Sequence, residues 1–172
     1  FLESGTNDLY FVTFDASDAS VSNAILVKEE VAGFDFDFKG NEIVWLYDET
    51  ASTPQLFLRG YSLSTNDWVN DEILASEDSG SSYERPNIVV HSDGTMTLIY
   101  NYRELVSGCC TYNNSINRKT FGANYLAEIP EYSLFTMSSE NYVVNGGLEA
   151  TGNANDEVLI ATSHGNTFSG RF

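Results

Sequence analysis

Positive charge is scarce in this chain. Only 8 lysines and arginines stand against 25 acidic residues, giving a formal net charge of −17 over 172 residues. A nucleic-acid partner needs a cationic surface, and so does an anionic bilayer, so composition speaks against both. Its simplest consequence is a well-solvated acidic surface, suited also to a saline or calcium-rich setting. No apolar run reaches the ~20 residues that a bilayer span requires, so no membrane insertion is expected. No stretch sustains a 3.6-residue period with caps, which argues against long helices. The chain opens on Phe1 with no leader-like segment, and the expectation is a processed or partial product. The sequon Asn113-Asn114-Ser115 is compatible with glycosylation.

Cysteine is equally sparse. The two present, Cys109 and Cys110, are adjacent. Consecutive Cα atoms lie about 3.8 Å apart, shorter than the usual disulfide span of roughly 4.4–6.8 Å, so a vicinal bridge is strained. Two readings stay open, a vicinal disulfide and two free thiols. Neither closes a chain loop, so neither staples the fold. His91 and His164 lack finger-like spacing to the thiols, and no metal site is expected from them.

What the sequence does have is aromatics, with 10 Tyr, 11 Phe and 2 Trp, and 13 glycines for turns, a balance that favours strands over helices. Phe34-Asp35-Phe36-Asp37-Phe38 alternates strictly, the period of a strand. Leu9–Phe14, Ala24–Val27, Glu42–Asp48, Gln55–Leu63, Trp68–Leu74, Asn87–His91, Thr95–Tyr102, Asn117–Phe121 and Tyr125–Ile129 continue the series. A third round is expected to open at Ser133–Met137, followed by Tyr142–Val144 and Val158–Ala161.

Two stretches echo each other. Gly40-Asn41-Glu42-Ile43-Val44-Trp45-Leu46-Tyr47-Asp48 aligns with Gly94-Thr95-Met96-Thr97-Leu98-Ile99-Tyr100-Asn101 when one residue is dropped after the glycine. Each glycine follows an extended segment, as in a hairpin whose tight turn needs a left-handed residue. The spacing of Gly40 and Gly94 is close to the ~40–50-residue repeat of a propeller blade. The expected fold is therefore all-β and β-propeller-like, with four-stranded antiparallel blades that are incomplete within this chain. The divisions are a partial blade at 1–32, blades at 33–82 and 83–130, and a partial blade at 131–172. A two-sheet sandwich is the alternative, and it predicts no internal repeat.

Tyr83-Glu84-Arg85-Pro86-Asn87-Ile88-Val89-Val90, with Asp93-Gly94 and Leu98-Ile99-Tyr100 after it, resembles a blade of five-bladed glycoside hydrolases of the arabinanase and galactanase type. Tyr61-Ser62-Leu63-Ser64-Thr65-Asn66-Asp67-Trp68 is similar to the segment that closes a blade in them and, more loosely, to the Asp-box of sialidases. The resemblance implies that Glu84 sits at the proton-donor position. Hydrolysis needs a second carboxylate across the glycosidic bond, for which Asp35 or Asp37 is the candidate. Both lie on one face of a strand, and the alternative for them is a backbone hydrogen bond between blades. Arg85 stands where the family pattern commonly has glycine, and a close guanidinium would oppose an acid role for Glu84.

Arg85 and Arg103, with Tyr100 and Trp45, are the candidate ligand-binding side chains, because cations are rare here and sugar rings stack on aromatic faces. No cofactor motif is present. Calcium is left open at Gly152-Asn153-Ala154-Asn155-Asp156-Glu157, which is dense in oxygen ligands but lacks the Asp-X-Asp-X-Asp-Gly order. Three functions are in contention. The first is a secreted, cell-surface or virion-surface module that recognises carbohydrate or another protein subunit. The second is part of a glycoside hydrolase, and the third is a structural protein that assembles as a homo-oligomer.

Overall fold

The computed structural model describes residues 1–49, 55–77, 81–107, 111–137, 142–143, 148–153, 156–162 and 165–166. The chain is all-β. Among the described residues there is no helix, and hence none long and apolar enough to cross a membrane.

Four short strands come first: β1 (Leu9–Phe11), β2 (Phe14–Asp15), β3 (Ser20–Val21) and β4 (Ile25–Lys28). They form two small antiparallel pairs, β1 with β4 and β2 with β3. Leu9–Phe14, which reads as one strand, is interrupted at Val12-Thr13, where Thr13 N donates to the Ser22 hydroxyl at 2.8 Å.

The first large sheet holds β5 (Val31–Lys39), β6 (Glu42–Glu49), β7 (Gln55–Ser62), β8 (Asp67–Trp68) and β9 (Ile73–Glu77). It is four ranks deep, because β8 and β9 divide the outer edge of β7 between them. The second sheet runs β10 (Ser81–Val90), β11 (Met96–Ser107), β12 (Thr111–Phe121) and β13 (Ala127–Met137), each antiparallel to the next. Ser133 to Met137, set apart in sequence as the start of a third round, is the second half of β13 and pairs with β12. Four strands follow: β14 (Tyr142–Val143), β15 (Leu148–Gly152), β16 (Val158–Thr162) and β17 (Gly165–Asn166). They pair as β14 with β17 and β15 with β16. Cys109, Cys110 and His164 lie outside the described residues.

The inner hairpins explain the one-residue difference between the two echoing stretches. Lys39 pairs with Glu42 across a two-residue turn whose first member, Gly40, has φ 61°. In the second sheet His91 N donates to Thr95 O at 2.8 Å across the three residues Ser92-Asp93-Gly94, and Gly94 has φ 84°. A two-residue turn with glycine first and a three-residue turn with its third residue left-handed are the two commonest ways to close a hairpin. The β15–β16 hairpin closes likewise, with Asn153 N donating to Glu157 O at 3.0 Å and Asp156 at φ 60°.

Successive units stack face to face. Val44, Leu46, Leu56 and Leu58 of the first sheet bury against Met96, Leu98 and Tyr100 of the second. Ile99 and Ile116 on the second sheet's far face pack on Leu148, Val158 and Ile160. The inner strands β5, β10 and β15 are also laced by side chains. Asp35 accepts from Ile88 N at 2.9 Å, Asp37 accepts from Val90 N at 2.8 Å, and Asn87 accepts from Ala150 N at 2.9 Å. Asn87 Nδ2 also donates to Leu148 O at 2.8 Å. Strand-edge N–H groups that face no neighbouring strand must find an acceptor when buried, and these side chains supply it.

At the turn end, Lys39 ties the sheets a second time. Its Nζ donates to Ala123 O at 3.0 Å, pairs with Glu42 at 3.1 Å and lies 4.4 Å from the centre of the Tyr125 ring. The Tyr125 hydroxyl donates to the Glu42 carboxylate.

Asn87→Ala removes both bonds to β15 and strands the Ala150 N–H. Denaturant unfolding is expected to show a loss of about 1–3 kcal/mol, the cost of an unsatisfied buried polar group. A change below about 0.5 kcal/mol would mean that the lacing contributes nothing to stability.

Candidate functional site

Both inner strands bulge at the end opposite their hairpin turns. On β5 the register slips between Val31 and Gly33, and on β10 between Glu84 and Asn87. Bulges bend a strand and re-aim its side chains, and they gather next to binding sites. Here the two face each other across a cleft of about 570 Å³ between the first and second sheets.

The bulge on β10 is Arg85-Pro86, set against Tyr100 on β11. Arg85 adopts φ 55°, an uncommon backbone for a residue with a long side chain. Its side chain is exposed at the mouth of the cleft, while Pro86 and Asn87 are buried beneath it. Asn87 Nδ2 donates to Arg85 O at 3.0 Å, so the amide that laces β15 also holds the bulge in shape.

On the facing wall, Gly33 N donates to the Asp48 carboxylate. A Cβ on Gly33 would lie 3.2 Å from both Asp48 Oδ1 and Pro86 Cδ, so a larger residue would crowd the cleft. Leu2, Ala32, Phe34, Asp35, Tyr83 and Leu148 also line the cleft, and the Tyr83 hydroxyl is bonded to the Ser76 hydroxyl at 3.0 Å. Among the described residues that line the cleft, Arg85 is the one cation.

The candidate residues divide sharply. Glu84 pairs with Asn101 immediately before the bulge, and its side chain lies outside the described residues. Asp35 and Asp37 accept from the backbone of β10, and Asp37 also accepts from Phe38 N at 2.8 Å. Tyr100 is buried edge-on to Tyr83, with ring centres 5.5 Å apart. Trp45 is buried against Phe11, Phe34 and Phe36. Arg103 lies on β11 opposite Ser82 and does not line the cleft. Structure therefore brings Arg85 and Asp35 to one place, joined by Asp48, Asn87 and Tyr83. Those three were not singled out from the sequence, because it is the packing of neighbouring strands that brings them to the cleft.

At the turn end, Asp156 ties the β15–β16 hairpin to the turn after β10. Asp156 accepts from Ser92 N and from the Ser92 hydroxyl, both at 2.8 Å. Those two bonds hold its carboxyl below the usual range. Asn153 Nδ2 donates to Glu157 at 2.7 Å. Ala154 and Asn155 lie outside the described residues, and among the described residues no three metal-ligating side chains converge. His91 bonds the Thr97 hydroxyl at 2.8 Å and approaches Asp156 at 3.7 Å.

A second electrostatic cluster joins β4, β6 and the loop before β9. Lys28 pairs with Glu49 at 2.5 Å and with Glu72 at 2.9 Å. Burial alone would lower the Lys28 pKa, but the two carboxylates outweigh it and raise it. Tyr47 donates to Glu72 at 3.0 Å, and burial followed by that carboxylate pushes its hydroxyl far above its ordinary value. This cluster pins the N-terminal strands to the first sheet and stands apart from the cleft.

No protein-family model matches this chain, and no match was found among curated proteins.

Proposed function

We propose that the chain is a secreted or surface-exposed β-propeller segment that recognises carbohydrate at the cleft between the two bulges. The observation that carries this reading is Arg85. A non-glycine residue held at φ 55° keeps its charge at the mouth of a concave site, in a protein where cations are few. Such strain costs about 1–2 kcal/mol and persists where the neighbouring structure enforces it, most often at functional positions. A guanidinium offers five donors in a rigid fork, which suits sugar hydroxyls and carboxylates. Phe34 and the buried polar groups Asp48 and Asn87 line the wall beside it, the mix of one apolar surface and a few fixed polar groups that ligand sites use.

The stacking of three similar units around the channel of about 360 Å³ between β5, β10 and β15 supports the propeller part of the reading. The hydrolase reading has less to rest on. Both oxygens of Asp37 accept backbone bonds and one oxygen of Asp35 does, which suits the two as struts between strands rather than as a nucleophile or base.

The test is titration calorimetry with arabino-, galacto- and galacturono-oligosaccharides on the intact chain and on two variants. At least one series is expected to bind, and Arg85→Ala to weaken it tenfold or more, equivalent to about 1.4 kcal/mol. Arg85→Gly is expected to lose binding equally while keeping its melting temperature at or above the starting value, since glycine relieves the left-handed strain. No binding in any series, or equal binding by Arg85→Ala, would overturn the proposal.

A further inference from the structure

Leu148 of β15 reaches the cleft from the third hairpin, so the site takes residues from three successive units. Its side chain is buried with Ile99 and Ile116 of the second sheet, and Ala150, Val158 and Ile160 pack beside it. Among the described residues β15 pairs with β16 and with no other strand. A two-stranded hairpin is marginal by itself and draws its stability from the surface on which it packs.

Asn87 joins this hairpin to the bulge on β10. A primary amide has two N–H donors and one carbonyl acceptor, all in one plane. In Asn87 all three groups are bonded. Nδ2 donates to Leu148 O at 2.8 Å and to Arg85 O at 3.0 Å, and Oδ1 accepts from Ala150 N at 2.9 Å. Leu148 O and Ala150 N both belong to the backbone of β15, and together they fix the plane of the amide. That plane in turn aims the remaining donor at the carbonyl of Arg85, the residue held at φ 55°. Asp37 shows the contrast, because its bonds go to Val90 N and Phe38 N, away from the bulge.

We propose that docking of the β15–β16 hairpin and the formed Arg85 bulge are one two-state element, with Asn87 as its positioning residue. With β15 withdrawn, the amide loses two of its three partners and turns freely, so its donor to Arg85 O loses its aim. A left-handed arginine persists only where the surrounding structure enforces it, and the bulge then relaxes. The cleft loses Leu148 and the fixed position of its cation in the same step. Regulation follows by linkage, and this part rests on the carbohydrate reading of the cleft. A sugar that binds only the formed bulge tightens the hairpin by the same factor as the docked hairpin tightens the sugar. Loosening β15–β16 from outside the cleft therefore turns recognition down.

Amide exchange followed by NMR on the intact chain tests the coupling, first without sugar. Arg85→Gly is expected to slow exchange at Ala150 about threefold or more, because glycine takes the left-handed backbone without strain and so favours the docked state. Val90, laced by Asp37 away from the bulge, is the reference and is expected to keep its rate. Unchanged or faster exchange at Ala150, or equal slowing at both amides, would overturn the inference. The second arm uses whichever arabino-, galacto- or galacturono-oligosaccharide binds in calorimetry. At saturation it is expected to slow Ala150 exchange about tenfold. Ile160→Ala loosens the hairpin from outside the cleft and is expected to weaken that sugar about tenfold, with folding checked by circular dichroism. A sugar that binds while Ala150 exchange stays the same would overturn the inference and leave the carbohydrate reading standing. No binding in any series would remove the carbohydrate reading alone, and Arg85→Gly would still decide the coupling.

Discussion

Every inter-sheet junction described here depends on one type of bond, from an inner-strand side chain to a backbone N–H of the next inner strand. Apolar packing between Leu46 and Leu98, or between Ile99 and Ile160, sets how close two units lie. It is non-directional and leaves their sliding register open. Asp35, Asp37 and Asn87 close that freedom, because a side-chain oxygen reaches a backbone donor in only one alignment. Where the acceptor is a carboxylate the bond is charge-assisted, roughly twice as strong as a neutral one.

The cleft follows from that register. With β5 and β10 fixed side by side, the bulge at Ala32-Gly33 must face the bulge at Arg85-Pro86. Asn87 then serves the junction and the bulge at once, bonding β15 and, within its own strand, the carbonyl of Arg85. The strained backbone of Arg85 is thus supported by a buried amide, and its side chain is left to the solvent. A site built this way is rigid in its floor and adaptable at its mouth.

Much of the architecture was legible in the sequence. The alternation of Phe34 to Phe38 marks β5, and Gly40 and Gly94 mark the two inner turns. Other hairpins were harder to read because Asn66, Tyr125 and Asp156 take the left-handed position without a glycine to announce it. Trp45 and Tyr100, read as ligand contacts, belong to the second strand of each sheet, whose alternate residues face a neighbouring unit. Their burial is a consequence of stacking, which composition does not encode. Asp35 and Asp37 carry the same lesson. A pair of carboxylates on one strand face suits catalysis or backbone bonding equally until the neighbouring strand is known, and here that strand offers N–H groups.

Amide hydrogen exchange followed by NMR tests the lacing most directly. The Ile88, Val90 and Ala150 amides are donors only through Asp35, Asp37 and Asn87. The account predicts that all three exchange as slowly as the ladder amides of β11, and that the Phe36 amide, directed away from β6, exchanges much faster. Exchange of Ile88 and Ala150 at the rate of Phe36 would contradict it, and would mean that the inner-strand lacing does not hold the register.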